Sequence, residues 1–190
     1  DIIILPGTKA TLDDLYELRK NGVAQAIVRA HRNGKTVIGI CGGYQMLGQS
    51  VLDPHAVEGS IQQLPGLGLL DTITEMLPEK TTRQTDFIFN GKECKGYEIH
   101  QGITTYSQGN DRAGQKADLI VSGNNCTGTY LHGFLDNSAV TDHFITPLCK
   151  SKAKAGNVSI EEFKNRQYDL LADHVRKYVD IEKLIKIMTP

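Results

Sequence analysis

One stretch, VIGICGGYQMLG at residues 37–48, constrains this chain more than any other. Thr36–Ile40 is a short apolar run of the kind that forms a buried strand, and the polar–apolar pattern from Gly43 to Ser50 predicts a helix. Between them Gly39-Ile40-Cys41-Gly42-Gly43 has the form G-x-C-x-G, the cysteine version of the G-x-S-x-G elbow that turns a strand sharply into a helix. Such a turn strains the backbone of its central residue, and its glycines remove side chains that would collide with the incoming strand and departing helix. A cysteine at that point lies at a helix N-terminus, where the local positive potential favours thiolate over thiol. Free thiols have a pKa of about 8.5, and sites of this kind bring it to roughly 3.5–7.5. The N–H of Gly42 is placed to hydrogen-bond an oxyanion, with a second donor available from the Gly7-Thr8 turn. Taken alone, the motif also fits a buried structural cysteine at a tight turn.

The rest of the chain fits an α/β frame. Ile2–Leu5, stopped by Pro6-Gly7, has the pattern of a buried parallel strand. Thr11 and Asp14 resemble a capping box ahead of a helix that carries Leu12, Leu15 and Leu18 on one face and ends near Asn21-Gly22. Ala24–Arg32 is a second helical stretch. Residues 67–106 alternate β-branched and aromatic side chains, which predicts mostly antiparallel strands. Ser107–Lys116 is polar and contains glycine, so it is expected to be a mobile loop. Short strands are expected at Asp118–Val121 and Gly128–Leu131, then helices over Ala139–Lys150 and Ile160–Met188. Strand–helix alternation with a β-rich middle argues for a mainly parallel central sheet plus an antiparallel segment. Sites in such sheets lie at the carboxyl ends of the strands, where Pro6-Gly7 and Cys41 both fall.

Bulk properties exclude several classes. The 190 residues suit one domain with a sizeable core, and a net charge of -1 gives no basic excess for nucleic acid. The apolar runs are too short for a membrane span. The opening DIIILPG has neither a methionine nor the basic start of a signal peptide, so the chain is expected to be cut from something longer. Cys41, Cys94, Cys126 and Cys149 are widely and irregularly spaced, which argues against a zinc site or disulfide framework and for reduced thiols in the cytoplasm. His55 and Glu58 lie three residues apart but lack the further partners a metal needs, so DPHAVEG is expected to be a loop bordering the substrate pocket instead.

A thiolate nucleophile needs a base. His31 and His174 lie in polar helical stretches, and His143 lies inside a helix. His132 follows the strand-like GTYL and precedes Gly133, the strand-end placement a base requires; His100 and His55 rank behind it.

LPGTK, GICGGYQMLG, DPHAVEG, GYEIHQG and GTYLHGF occur in this order, followed by RQYDLLADHVRKYVDIEKL. Together they resemble the glutamine amidotransferase domain of the cobyric acid synthases over nearly the whole chain. The resemblance implies a three-layer, flavodoxin-like class I amidotransferase fold spanning residues 1–190, short of the first strand that usually precedes DIIILPG. It implies Cys41 as nucleophile, His132 as general base, Gly7 and Gly42 as oxyanion donors and Gln45 as a glutamine-holding residue. It further implies glutamine as substrate, no cofactor or metal in this domain, and an N-terminal synthetase domain using ATP and Mg to amidate a corrinoid. Many class I relatives carry a glutamate two residues after the histidine; here that position is Phe134. What orients His132 is then a backbone carbonyl, a water or a carboxylate such as Glu98. Glu98 and His100 fit the site rim, or the face toward the synthetase, as well as they fit ordinary strand positions. Alternative readings are the amidotransferase of another ligase (cobyrinate a,c-diamide or cell-wall precursor), a cysteine-elbow thiol hydrolase or chaperone, and a non-catalytic binding module.

Overall fold

A computed structural model describes residues 1–149 and 160–188. They fall into two compact units, Asp1–Phe134 and Leu135–Pro190.

The first unit is built on two sheets. β1 (Ile2–Leu5) and β2 (Thr36–Ile40) run parallel with Ile3 opposite Val37, and two helices connect them: α1 (Thr11–Lys20) and α2 (Val23–Arg32). α3 (Gly42–Leu47) follows β2 directly. β3 (Ser50–Leu52), β4 (Gln63–Pro65), the long β5 (Thr72–Phe89) and β6 (Lys92–Tyr106), β7 (Ile120–Gly123), β8 (Cys126–Thr129) and β9 (Leu131–His132) complete the strands. The first sheet has the order β1-β2-β8-β7, parallel except for the antiparallel edge strand β7. The second has the order β4-β3-β5-β6-β9 and is antiparallel except where β3 meets β5. The mainly parallel sheet and the antiparallel segment expected from sequence are therefore separate sheets. The core is formed by apolar residues such as Val37 and Ile38 of β2, Leu12 and Leu15 of α1, and Tyr44 and Leu47 of α3. Their burial supplies the main driving force for the fold.

Local chemistry explains the details. β5 and β6 form a hairpin closed by Asn90-Gly91, both at positive φ (50° and 76°), the sequence that suits a tight turn matched to strand twist. The hairpin register shifts between Glu75 and Lys80, which frees this part of β5 from regular pairing.

Two local expectations change. Thr11 is not a cap: Ala10 occupies that position, and Thr11 lies inside the helix, turned toward the site described below. Asp14 instead accepts a hydrogen bond from the Thr8 hydroxyl. The Ser107–Lys116 loop is pinned rather than loose. Arg112 forms a two-pronged pair with Asp118 (2.5 and 2.8 Å) and lies over the Tyr106 ring at 4.5 Å.

In the second unit α4 (Ser138–Ile145) gives way to a 3-10 turn at Thr146–Leu148, while Lys150, the expected helix end, lies outside the described residues. The stretch expected as one helix over 160–188 is two, α5 (Ile160–Tyr178) and α6 (Ile181–Met188). Asp180 interrupts it because its carboxylate accepts from the Lys183 N–H at 3.0 Å, forming a new helix start. Among the described residues no helix is long and apolar enough to cross a membrane.

Candidate active site

Cys41 is the residue between β2 and α3, at φ 54° and ψ −114°. A non-glycine residue adopts that conformation only where its surroundings enforce it. Here the Cys41 N–H donates to Thr129 O at 2.9 Å, tying the end of β2 to the end of β8. The Gly43 N–H donates to Pro6 O at 3.1 Å, tying the elbow to the turn after β1. A Cβ on Gly43 would stand 2.1 Å from Leu5 O, so the elbow closes against β1 only with glycine there. Three strand ends thus meet around one thiol, as the strand-end rule for open α/β sheets anticipates.

Gly7 joins nucleophile and base. A Cβ at Gly7 would lie 3.2 Å from Cys41 Cβ and 3.5 Å from His132 Cε1, so the thiol-bearing carbon and the imidazole edge flank the same glycine. All three line one cavity of about 610 Å³. His132 is on the two-residue strand β9, opposite Tyr97 of β6, and its ring stacks on Tyr97 with centroids 5.1 Å apart and planes inclined by 13°. Its Nε2 is shielded from solvent and meets no hydrogen-bond partner among the described residues. Glu98 does not orient this imidazole. Its carboxylate accepts from Arg83 Nε (2.7 Å) and Thr85 Oγ1 (2.9 Å) and faces His100 Nε2 at 3.5 Å. Phe134, two residues after His132, is fully buried against Phe87 and Phe89.

Charge at the site differs from the sequence expectation. Burial pushes the Cys41 thiol up, and Glu58 adds to the rise; the Gly42 N–H and Lys80 pull the other way without overcoming it. The thiol donates to Ile99 O at 3.5 Å, so the resting group is a neutral S–H rather than a standing thiolate. The helix start does oppose burial, as expected, but it does not win.

Gln45 is 3% exposed and its amide is fully engaged. Its Nε2 donates to Gln101 O (2.9 Å) and Tyr130 Oη (3.2 Å), and its Oε1 accepts from Thr11 Oγ1 (3.0 Å). It lines the cavity wall, held rigid by this network. His100 stacks on Tyr130 at 3.7 Å. Burial lowers its pKa more than Glu98 raises it, so the ring is neutral near pH 7. Burial would raise the Glu98 carboxyl, but its hydrogen bonds to Arg83, Thr85 and His100 outweigh that and hold it below the ordinary carboxylate value.

Residues 1–140 match the model of the CobB/CobQ-like glutamine amidotransferase domain. The chain belongs to that amidotransferase family. Similar curated relatives, each named cobyric acid synthase, come from Bacteroides fragilis (52% identical, 100% of this chain), Phocaeicola vulgatus (49%, 100%) and Syntrophobacter fumaroxidans (41%, 99%). The chain spans only 40%, 40% and 41% of those relatives' own lengths. A solved structure described as a glutamine amidotransferase superposes with a TM-score of 0.55 at 15% identity, over 76% of this chain and 77% of that one, which supports the fold.

In this amidotransferase domain Glu58 lines the cavity beside Cys41, as expected of DPHAVEG as a loop bordering the substrate pocket rather than a metal site. Lys80, at the point on β5 where pairing resumes opposite Gln101, also lines it and was not predicted there. Among the described residues no group of three or more His, Cys, Asp or Glu is arranged for a metal. The signal for Glu58 was its place in DPHAVEG, a turn between strands. Buried Asp53 shapes that turn by accepting from the Val57 and Glu58 N–H groups at 2.8 and 2.9 Å.

Proposed function

We propose that the domain hydrolyses glutamine through a Cys41 thioester and supplies the ammonia to a synthetase in the same longer protein. The observation that carries the reading is the meeting of Cys41, on its strained elbow, with His132 across Gly7 in one cavity. His132 takes the thiol proton as Cys41 attacks the side-chain amide carbon. The N–H groups of Gly42 and of the Gly7-Thr8 turn hold the oxyanion. The imidazolium then gives its proton to the departing ammonia, leaving a glutamyl thioester. Water, deprotonated by His132, cleaves that thioester to glutamate and restores the thiol. Burial favours the neutral thiol, which ties thiolate formation to the arrival of substrate and fits a site that must not release ammonia idly. Gln45 acts here as a rigid wall for the substrate.

The names of the relatives, and the share of their length that this chain spans, support cobyric acid synthase as the parent enzyme. In that reading the N-terminal synthetase domain binds ATP and Mg and amidates adenosylcobyrinic acid a,c-diamide in the cytoplasm, on the route to cobalamin. This domain itself needs no cofactor. Cys41→Ala in the full-length enzyme tests the proposal. Glutamine-dependent amidation is expected to vanish while ammonia-dependent amidation persists, and loss of both would make Cys41 a folding residue instead.

A further inference from the structure

His132 carries the proton in both halves of the proposed reaction, yet the carboxylate nearest it on β6 does not hold its ring. Glu98 is committed to Arg83, Thr85 and His100. Among the described residues the buried His132 Nε2 has no hydrogen-bond partner. The torsion that turns an imidazole about its bond to Cβ is intrinsically broad, so a neighbour must fix the ring plane. Tyr97 lies directly opposite His132 in the β6–β9 pair, so the two side chains share one face of the sheet. Their rings stack with centroids 5.1 Å apart and planes inclined by 13°. We infer that Tyr97 is the positioning residue of the catalytic base, its ring face fixing the plane in which the His132 imidazole meets Cys41 and the substrate.

The backbone on either side of Tyr97 holds that face in place. A Cβ on Gly96 would stand 2.8 Å from His132 O, so β6 and β9 approach this closely only with glycine beside Tyr97. On the other side Glu98 is buried and tied to Arg83 and Thr85, which anchors β6. The stack also changes in strength during the reaction. A tyrosine ring attracts a cation placed over its face within about 6 Å. His132 becomes that cation when it takes the Cys41 proton, and it loses the charge when ammonia leaves. The attraction is therefore present in the charged states along the path and absent before the proton moves. It lowers the barrier rather than tightening the binding of glutamine. This inference rests on the glutaminase reading and adds what orients its base. The competing role is ordinary cross-strand packing, which an apolar side chain of similar size would also supply.

Tyr97→Leu and Tyr97→Phe separate the two roles, because leucine keeps apolar bulk without the flat face and phenylalanine keeps both. The experiment measures steady-state glutamine hydrolysis in the full-length enzyme, with thermal unfolding alongside. In Tyr97→Leu kcat should fall roughly tenfold, between the exposed and the desolvated limits of a cation–ring contact, with KM little changed. Tyr97→Phe should restore kcat to within about twofold of the unaltered enzyme. Tyr97→Val, a good strand former, repeats the ring-free test if leucine weakens the β6–β9 pairing. Unchanged turnover in the ring-free variants overturns the inference, as does a loss that phenylalanine does not restore or one that appears in KM alone. If the unaltered enzyme shows no glutamine hydrolysis, or if His132→Ala keeps it, the glutaminase reading or its base fails first, and the role of Tyr97 with it.

Discussion

Two buried thiols stand at opposite ends of the same strand pair. Cys126 opens β8 opposite Val37 and is 1% exposed; Cys41 follows the end of β2, bonded to Thr129, and is 8% exposed. Burial alone pushes Cys126 up to about 12. Burial also raises Cys41, but the Gly42 N–H and Lys80 oppose it, and the sulfur faces a cavity that His132 also lines. Burial therefore does not distinguish the proposed nucleophile from the other buried thiol. The distinction comes from position. The carboxyl end of a parallel strand opens onto a rim where neighbouring segments bring Gly7, Thr8 and His132 to the same cavity, whereas Cys126 lies at the amino end.

Replacing each thiol gives the largest expected contrast. Cys41→Ala should lower glutaminase turnover by about 10^4-fold or more, the scale of nucleophile removal, with little change in stability. Cys126→Ala should keep turnover and lose about 1 kcal/mol of stability through the small cavity it leaves, read by denaturant unfolding. Comparable loss of turnover in both variants would erase the distinction. Next in size, His132→Ala should slow acylation of Cys41 by a glutamine-like electrophile roughly 10^2- to 10^4-fold in single-turnover labelling. Unchanged labelling would remove His132 from its role.

Backbone fit comes third. Gly43→Ala places a methyl 2.1 Å from Leu5 O at the reactive end, whereas a Cβ on Gly123, at the end of β7, meets nothing within 4 Å. The first should cost on the order of 1–3 kcal/mol or more of stability and the second well under 1, as thermal unfolding would show. Equal costs would mean that the elbow is looser than its contacts indicate. The smallest effect is that of pH. Because the Cys41 pKa is raised, its labelling by a neutral alkylating agent should climb as pH rises above neutrality, and a rate flat from pH 6 to 9, a window set by the ordinary thiol pKa of about 8.5, would mean a standing thiolate.

Much of the reactive end was legible in the sequence because its signals are local. The G-x-C-x-G spacing announces the elbow by itself, although only Gly39 is required by nearby residues (Gly43 and Leu47) while Gly42 and Gly43 are closed in by Thr8 and Leu5, and GTYLHG marks a strand end. The antiparallel half was less legible. That residues 67–106 are strands followed from their alternation, but not that β6 would hold β9 and stack Tyr97 on His132, since that pairing joins residues far apart in sequence. Lys80 was hidden for the same reason: the hairpin carries it to the cavity, and nothing in its periodicity announces a site, whereas the DPHAVEG loop of Glu58 was expected to border the substrate pocket. Thr11 and Asp14 fitted a capping box by spacing, yet the site claims the Thr11 hydroxyl for Gln45 and Glu58. A helix start beside an active site serves the site before it serves the helix.

The most direct test of the central claim is to map where a glutamine-like electrophile attaches in the full-length protein. The intact mass after reaction should rise by one adduct, and peptide mapping should place it on Cys41, with Cys94, Cys126 and Cys149 unmodified. Inactivation with the adduct on another residue, or with no adduct on Cys41, would contradict the account.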